Sequence, residues 1–491
     1  MPPPDRRFGP LVGGTRVPGA RAELATSPSS GRPVAEVAFG DAAIVDAAVR
    51  AAQGAIGGWA GLSSFERAEV MSGAASVVRS NREELARLLT EDQGKPLAEA
   101  FDEVDELAVY LDMAGEDAKR LEGSMPQSVS RGRRVLSYRL PLGVIGIITP
   151  WNWPYTMGAE LFAPALAAGN AVVWVPAPTT SACSGRLAEL LVGTELPSGV
   201  FNFVPGDGPV VGSALAGHRG VAGVGFIGSV ATGQSVAARA AGKAQILELG
   251  GNGPMVVLDD ADLALAAEAT LEAAYLCAGQ SCTAGERFLV VEPVREEFVE
   301  RVVDLTRAQV RLGDPFEPGV TMGPLNNEPT AAKFARHVTD AVARGARVLT
   351  GGKLASGFPT DLFAEATVLD EVSLDMEIAR EETFGPVVPI VSVASAAEAL
   401  EITNSSPFGL TCAVFTEDLE RGLAFAEAAR AGWVNVNAST NLWESHLAFG
   451  GRSGSVSGRG RVGGSNVLDT FSEPKTVVVP APRFSRSNPG K

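Results

Sequence analysis

Two successive series of short apolar runs, separated by helical stretches, constrain this chain more than any other feature. The first series lies at residues 144–148, 171–174, 200–204, 224–227 and 245–249. The second lies at 255–258, 287–291, 347–349, 387–391, 412–415 and 433–436. A strand that is apolar on both faces has to be covered on both faces, as a parallel strand is by its crossover helices. The expected fold class is α/β, with two doubly wound parallel-sheet lobes and a cleft between them.

The flanking segments read differently. Residues 1–40 are rich in Pro, Gly, Arg and Ser and read as an irregular lead-in. From 41 to 120 the spacing is helical, at 42–53 with Asp41 as cap, then 67–79, 82–92 and 96–118. Ser64 with Arg67 three residues on makes no capping box. Residues 124–140 alternate in a strand-like way around Arg131-Gly132-Arg133, which predicts a protruding hairpin. A run of valines at 476–479 predicts a terminal strand after a Gly/Ser/Arg-rich stretch at 450–465.

The net charge of −16 argues against nucleic acid or an anionic membrane as partner, since both require a basic face. Four cysteines in 491 residues, with no CxxC pair, do not form a disulfide framework. The three histidines stand apart from cysteines and carboxylates at ligand spacing, so no metal site is expected. Met1-Pro2-Pro3-Pro4-Asp5 has no apolar core segment like that of a secretory signal. No window of about 20 apolar residues is free of charge or breakers. Residues 156–175 come closest, but they carry Glu160, Pro164, Gly169 and Asn170. The expected location is the cytoplasm.

Three turn-bound motifs carry chemistry. Cys282 sits in Gly279-Gln280-Ser281-Cys282-Thr283-Ala284-Gly285. Glu248 opens Glu248-Leu249-Gly250-Gly251-Asn252. Asn152 lies in Thr149-Pro150-Trp151-Asn152-Trp153-Pro154. A thiol, a carboxylate and an amide are the nucleophile, general base and oxyanion donor of an acyl-transfer site. Taken singly, each is more often a small core residue, a strand-end charge and a turn former. No GxGxxG follows a strand. Instead the strand at 224–227 ends in Gly228-Ser229, and Gly233 opens a helix, which places backbone N–H groups where a pyrophosphate is held.

From about residue 40 to about 478 the chain resembles the aldehyde dehydrogenase superfamily, in its non-acylating type. The resemblance implies Cys282 as nucleophile, Glu248 as the base that activates water, and Asn152 with the Cys282 N–H as oxyanion donors. It implies NAD as cofactor, with NADP as the second choice. Gly208, Gly228, Ser229 and Gly233 resemble its phosphate and adenine turns, and Glu382 and Phe384 its nicotinamide end. Thr149, Trp151 and Leu249 join them by their places in the motifs. Trp153, Glu160, Ser281 and Trp443 line the substrate tunnel, and Asp112 falls near its mouth. The resemblance further implies a homodimer or homotetramer joined through an arm built from the hairpin and the terminal strand.

The resemblance also divides the chain. Residues 1–123 and 142–250 form the cofactor-binding domain, 251–450 the catalytic domain, and 124–141 with 466–491 the arm. The implied reaction is oxidation of a small-molecule aldehyde to a carboxylic acid through a cysteine thioester. Two departures from the family pattern matter. Val175 and Pro178 stand where Lys and Glu usually hold the adenosine ribose. Glu160 stands where relatives acting on acid semialdehydes often carry Arg, so a neutral or amine-bearing substrate is expected. The competing expectation is that Glu160 pairs with a nearby Arg. Cys277 departs from the usual Asn and reads as core filler. A coenzyme A-acylating dehydrogenase, a cofactor-free thiol esterase and a non-catalytic assembly subunit are the alternatives. Glu248 counts against the first of these.

Overall fold

A computed structural model describes residues 6–481. Both apolar series form sheets. In the first sheet, Val144–Ile148 and Gly223–Gly228 lie side by side at the centre. Ala244–Leu249 lies beyond the latter, and Ala171–Val175 then Phe201–Phe203 beyond the former, all parallel. Alternate side chains feed two separate cores, because successive residues of a strand point to opposite faces. Ile145, Ile147, Val172 and Trp174 pack into one core, and Val144, Ile148, Val173 and Val175 into the other. The chain lays strands outward on one side of Val144–Ile148 and then returns to its other side. That reversal opens a crevice at the carboxyl ends of Val144–Ile148 and Gly223–Gly228, the place where open α/β sheets bind ligands.

The second sheet runs Arg347–Thr350, Thr367–Asp370, Val387–Val393, Gly285–Val291, Gly253–Val257, Thr411–Phe415, Trp433–Val436. It is parallel except at its edge, where Arg347–Thr350 runs antiparallel to Thr367–Asp370. That neighbour is four residues long and was not read as a strand. Only Gly250, Gly251 and Asn252 separate the last parallel strand of the first sheet from the first strand of the second. Glu248 therefore sits where the two lobes meet.

Two expectations need correction. The lead-in is not irregular: Arg21–Thr26 pairs antiparallel with Pro33–Phe39, Arg7–Phe8 pairs on the other side, and Leu11–Val12 extends the first sheet beside Phe203. Arg7–Phe8 and Leu11–Val12 are too short to show a period, and Arg21–Thr26 mixes three polar residues with three apolar ones. The hairpin within 124–140 does not form. Arg133–Pro141 instead pairs with Ser472–Pro480 from Ser472↔Pro141 to Pro480↔Arg133, while Ser124 makes one bridge to Ser137. Pro126 and the Ser-rich run after it offer no ladder, and the terminal valines supply a better partner. Residues 482–491 of the expected arm, and the N-terminal 1–5, lie outside the described residues. The capping box absent at Ser64 is present one residue earlier, where Ser63 and Glu66 exchange backbone bonds at the start of Ser64–Ser80. Among the described residues no helix is long and apolar enough to cross a membrane.

Candidate active site

The nucleophile loop is held by its own amides. Cys277, Ala278 and Gly279 are all in the left-handed region, at φ of 50°, 55° and 72°. At Gly279 only glycine is admissible, because a Cβ there would lie 2.3 Å from the Gly385 carbonyl oxygen. Gln280 Nε2 donates to the Cys277 carbonyl at 2.7 Å, and Gln280 Oε1 accepts from the Asn326 N–H at 2.8 Å. Thr283 Oγ1 donates to Asn441 Oδ1 at 2.6 Å. Cys282, half-buried, is thus fixed just before the strand Gly285–Val291.

Asn152 reaches this loop from the first lobe. Its Nδ2 donates to the Gln280 carbonyl at 3.0 Å, two residues before Cys282, which leaves its second N–H free to donate. Asn152→Ala is expected to lower kcat/KM by ~10²–10³-fold, with KM for the cofactor nearly unchanged, measured by steady-state kinetics. Gly251 fixes the other wall, since a Cβ on it would lie 2.3 Å from the Cys282 carbonyl oxygen. Gly251→Ala is therefore expected to cost activity about tenfold or more, by shifting the nucleophile by a few tenths of an ångström. Comparing kcat with the thermal midpoint would separate this from simple destabilisation.

Cys282 and Glu248 line two cavities at once. The first, of about 260 Å³, is also walled by Trp151, Asn152, Ile227, Gly228, Ser229, Lys333, Glu382 and Phe384. The second, of about 300 Å³, is also walled by Trp153, Glu160, Ser281, Trp443, Glu106 and Phe449. All four residues expected in the tunnel are therefore in one cavity. Of those expected at the cofactor, Trp151, Gly228, Ser229, Glu382 and Phe384 line the other. Thr149, Gly208, Gly233 and Leu249 do not line it. The Thr149 hydroxyl accepts from Trp174 Nε1 at 2.9 Å, and Gly233 lets its helix close on Leu249, where a Cβ would meet Cδ2 at 2.3 Å.

The fit to a dinucleotide rests on this first cavity. Ser229 caps the helix Val230–Arg239 through the Thr232 N–H, at the end of strand Gly223–Gly228. Such a helix start favours phosphate. Glu382 accepts from the Gly251 N–H at 2.9 Å, and Phe384 meets Trp151 edge-on with centroids 5.5 Å apart. Glu286 accepts from the N–H groups of Thr383 and Phe384, each at 2.9 Å, and so sets that loop. Val175 is buried at its strand end and Pro178 is exposed, so neither offers a charge to a ribose or its phosphate.

Burial governs the titratable groups. It pushes the Glu248 carboxyl up to about 8, with the Glu382 charge adding and the Cys282 thiol opposing. Neither Glu248 oxygen has a hydrogen-bond partner of ordinary geometry among the described residues, although the thiol lies close enough to bear on its proton. Burial also pushes the Cys282 thiol well above its ordinary value, and Glu248, Glu382 and Glu160 add to it. The base is thus close to neutral range, while the thiol needs a partner to take its proton. Cys277 is inert by comparison. It is buried, pushed up to about 12, and its sulfur accepts from Gln93 Nε2 at 3.4 Å.

One further residue differs from expectation. Asp112 is not at the tunnel mouth. It pairs with Arg79 on the helix Ser64–Ser80, because it lies about 200° around the helix Leu97–Ala118 from Tyr110, by two steps of about 100°. The face that does reach the tunnel carries Asp102 and Glu106 at four-residue spacing. These, with Glu272, were missed as solvated helix charges. Glu160 does not pair with an arginine. It is 3% exposed, its Oε1 has no hydrogen-bond partner, and Glu248, Glu106 and Tyr110 face it. The Asn327–Lys333 stretch was also missed. Asn327 caps the helix Glu328–Ala343 through the Thr330 N–H at 3.1 Å, and that helix brings Thr330 and Lys333 to the first cavity.

Comparison with known proteins agrees with this geometry. The sequence profile of the aldehyde dehydrogenase family matches residues 19–477. The 3-sulfolactaldehyde dehydrogenase of Pseudomonas putida is 37% identical, over 92% of this chain and 93% of its own. A probable NADP(+)-dependent succinate-semialdehyde dehydrogenase of Sinorhizobium fredii is 36% identical, over 92% of each. The crystal structure of betaine aldehyde dehydrogenase from Staphylococcus aureus in complex with NAD+ superposes with a TM-score of 0.93 at 30% identity, covering 98% of this chain and 96% of that one. None of these three is named for acyl transfer to coenzyme A. A family match across nearly the whole chain, together with a thiol and a carboxylate at the junction of two cavities, settles the matter: the chain belongs to the aldehyde dehydrogenase family and is an NAD(P)-dependent oxidoreductase that converts an aldehyde to its acid.

Proposed function

We propose that Cys282 Sγ attacks the aldehyde carbon from the floor shared by the two cavities. The carbonyl oxygen, as it gains charge, is held by the free N–H of Asn152 Nδ2 and the Cys282 backbone N–H. Glu248 takes the thiol proton and later orients water on the thioester, releasing the acid. The nicotinamide of the bound cofactor supplies the hydride acceptor. Trp151, Gly228, Ser229, Glu382 and Phe384 would hold it, with Lys333 Nζ 5.8 Å from the Phe384 ring centre. The single observation that carries this reading is that Cys282 and Glu248 line both cavities.

NAD+ is the favoured cofactor, because neither Val175 nor Pro178 offers a cation to a 2′-phosphate. The substrate is neutral or amine-bearing, because Glu160 stands in the tunnel where an acid would need a cation. The division at residues 123, 142 and 250 into cofactor-binding and catalytic domains, with the arm as a separate unit, belongs to the same reading. So do a homodimer or homotetramer joined through the arm, in which Val478 and Tyr138 are exposed at 55% and 40%, and a cytoplasmic location. An aldehyde panel read by absorbance of reduced nicotinamide, run with NAD+ and with NADP+, tests the activity. A lower KM for NAD+ is the expected result. Aldehyde consumption without nicotinamide reduction, or hydrolysis of an ester substrate alone, would favour the thiol esterase.

A further inference from the structure

The tunnel-side cavity is walled by carboxylates. Besides Glu248 its lining includes Asp102, Glu106, Glu160 and Glu272, and no Lys, Arg or His among the described residues. They are graded in depth: Asp102 and Glu272 are exposed, Glu106 is half-buried, and Glu160 is buried. Two cations of the helical segment before and around Asp102 are already engaged. Lys95 pairs with Glu103 at 2.6 Å and lies 3.4 Å from the Trp153 ring centre, and Arg79 is held by Asp112. A buried carboxyl oxygen without a donor is costly, and Glu160 Oε1 is such an atom, on the wall of the very cavity that reaches Cys282.

We infer that this tunnel selects aldehydes carrying a primary ammonium group, which sits between Glu160 and Glu106 after approach past Asp102 and Glu272. The inference rests on the proposed function and deepens it. A neutral substrate leaves Glu160 Oε1 without a donor. A carboxylate or sulfonate brings no N–H to that oxygen and has to approach past the exposed Asp102 and Glu272. A quaternary ammonium brings charge but no N–H, so it cannot satisfy that oxygen. Trp443, tilted against Tyr110 and Phe449 at centroid distances of 6.4 Å and 5.2 Å, covers the methylene chain between the two ends. Glu160 and Cys282 line the same cavity of about 300 Å³, so the spacer is a few carbons long.

The charge state of the wall agrees. Burial, with Glu248 and Glu106 facing it and Tyr110 opposing, pushes Glu160 well above the carboxylate range. Glu106 is pushed to about 7 by burial, Glu103 and Asp102, against Lys95 and Tyr110. An arriving ammonium takes the place of the protons held there. The class of reaction that would supply such a substrate is oxidation of one amino end of a diamine, and the product is an ω-amino acid.

The test compares 3-aminopropanal with its neutral isostere butanal, with 3-(trimethylammonio)propanal and with succinate semialdehyde. For 3-aminopropanal kcat/KM is expected about 10–100-fold above butanal, the scale of a charge-assisted hydrogen bond, with succinate semialdehyde the poorest. Glu160→Gln is expected to shrink the 3-aminopropanal-to-butanal ratio about tenfold, mainly through KM, and Glu106→Gln to shrink it less. Equal losses on both aldehydes, a trimethylammonio analogue as good as the primary amine, or succinate semialdehyde as the best substrate would each overturn the inference. Calorimetry with propylammonium gives a readout without turnover: binding by the wild type and its loss in Glu160→Gln support the ammonium site. If propylammonium binds while no aldehyde is oxidised, the catalytic reading fails and the site stands. If aldehydes are oxidised and propylammonium does not bind, the ammonium site falls alone.

Discussion

Cys282→Ala is expected to lower kcat for aldehyde oxidation by about 10⁴-fold or more, because no other group can form the bond to carbon. The neighbouring thiol cannot stand in. Cys277 is 1% exposed, its sulfur faces Gln93 and the Asn152 carbonyl, and burial holds it protonated. Cys183 and Cys412 are buried in the cores of the first and second lobes. The fold is expected to survive, since Cys282 is only half-buried and the loop around it is held by Gln280, Thr283 and Asn441 rather than by the sulfur. Cys282→Ser, which keeps the shape, is expected to be nearly as inactive, because a hydroxyl at this pH is a far weaker nucleophile than a thiol with a base beside it. Circular dichroism and thermal midpoints equal to those of the wild type, alongside lost turnover, would establish the chemical role. Unchanged turnover in the serine variant would remove the thioester mechanism altogether.

Sheets were legible wherever a strand is covered on both faces. Residues 144–148 and 412–415 are continuous apolar runs and are buried throughout. The motifs were legible because Gly and Pro mark turns whatever packs around them. What escaped is what depends on a partner distant in sequence. Arg133–Pro141 alternates like half of a hairpin, yet its partner is Ser472–Pro480, more than 300 residues on. Arg21–Thr26 is half polar and exists only as a pair with Pro33–Phe39. The acid wall escaped for a related reason. Asp102 and Glu106 at four-residue spacing look the same on a solvated helix face as on a tunnel wall, and only the placement of Thr156–Ala167 against that helix decides which they are. Asp112 was assigned by proximity in sequence, where the helical turn had already carried it to the other side.

Glu248→Gln should separate the two halves of the reaction. Gln keeps the size and some of the hydrogen bonding but cannot accept a proton. Thioester formation is expected to slow less than its hydrolysis: the amide cannot take the thiol proton, but loss of the Glu248 charge removes one of the causes that raise the Cys282 thiol. Its hydrolysis is expected to slow by ~10²–10⁴-fold, the range of a lost general base. Reduced nicotinamide should then appear as a burst of about one equivalent per site, followed by a slow steady state, and the acyl group should be visible as added mass on the protein. The pH profile gives an independent check. Burial pushes the Glu248 carboxyl up to about 8, and the base acts only when ionised. Below that pH the ionised fraction falls about tenfold per unit, so wild-type kcat should rise steeply from pH 6 to 7 and level off above 8. The same limb should be absent from Glu248→Gln. A substrate bearing an ammonium group would favour the ionised base, so its limb should lie at lower pH than that of a neutral aldehyde. Identical limbs for both substrates, with the limb retained in Glu248→Gln, would assign the titration to Cys282 and leave Glu248 without its role.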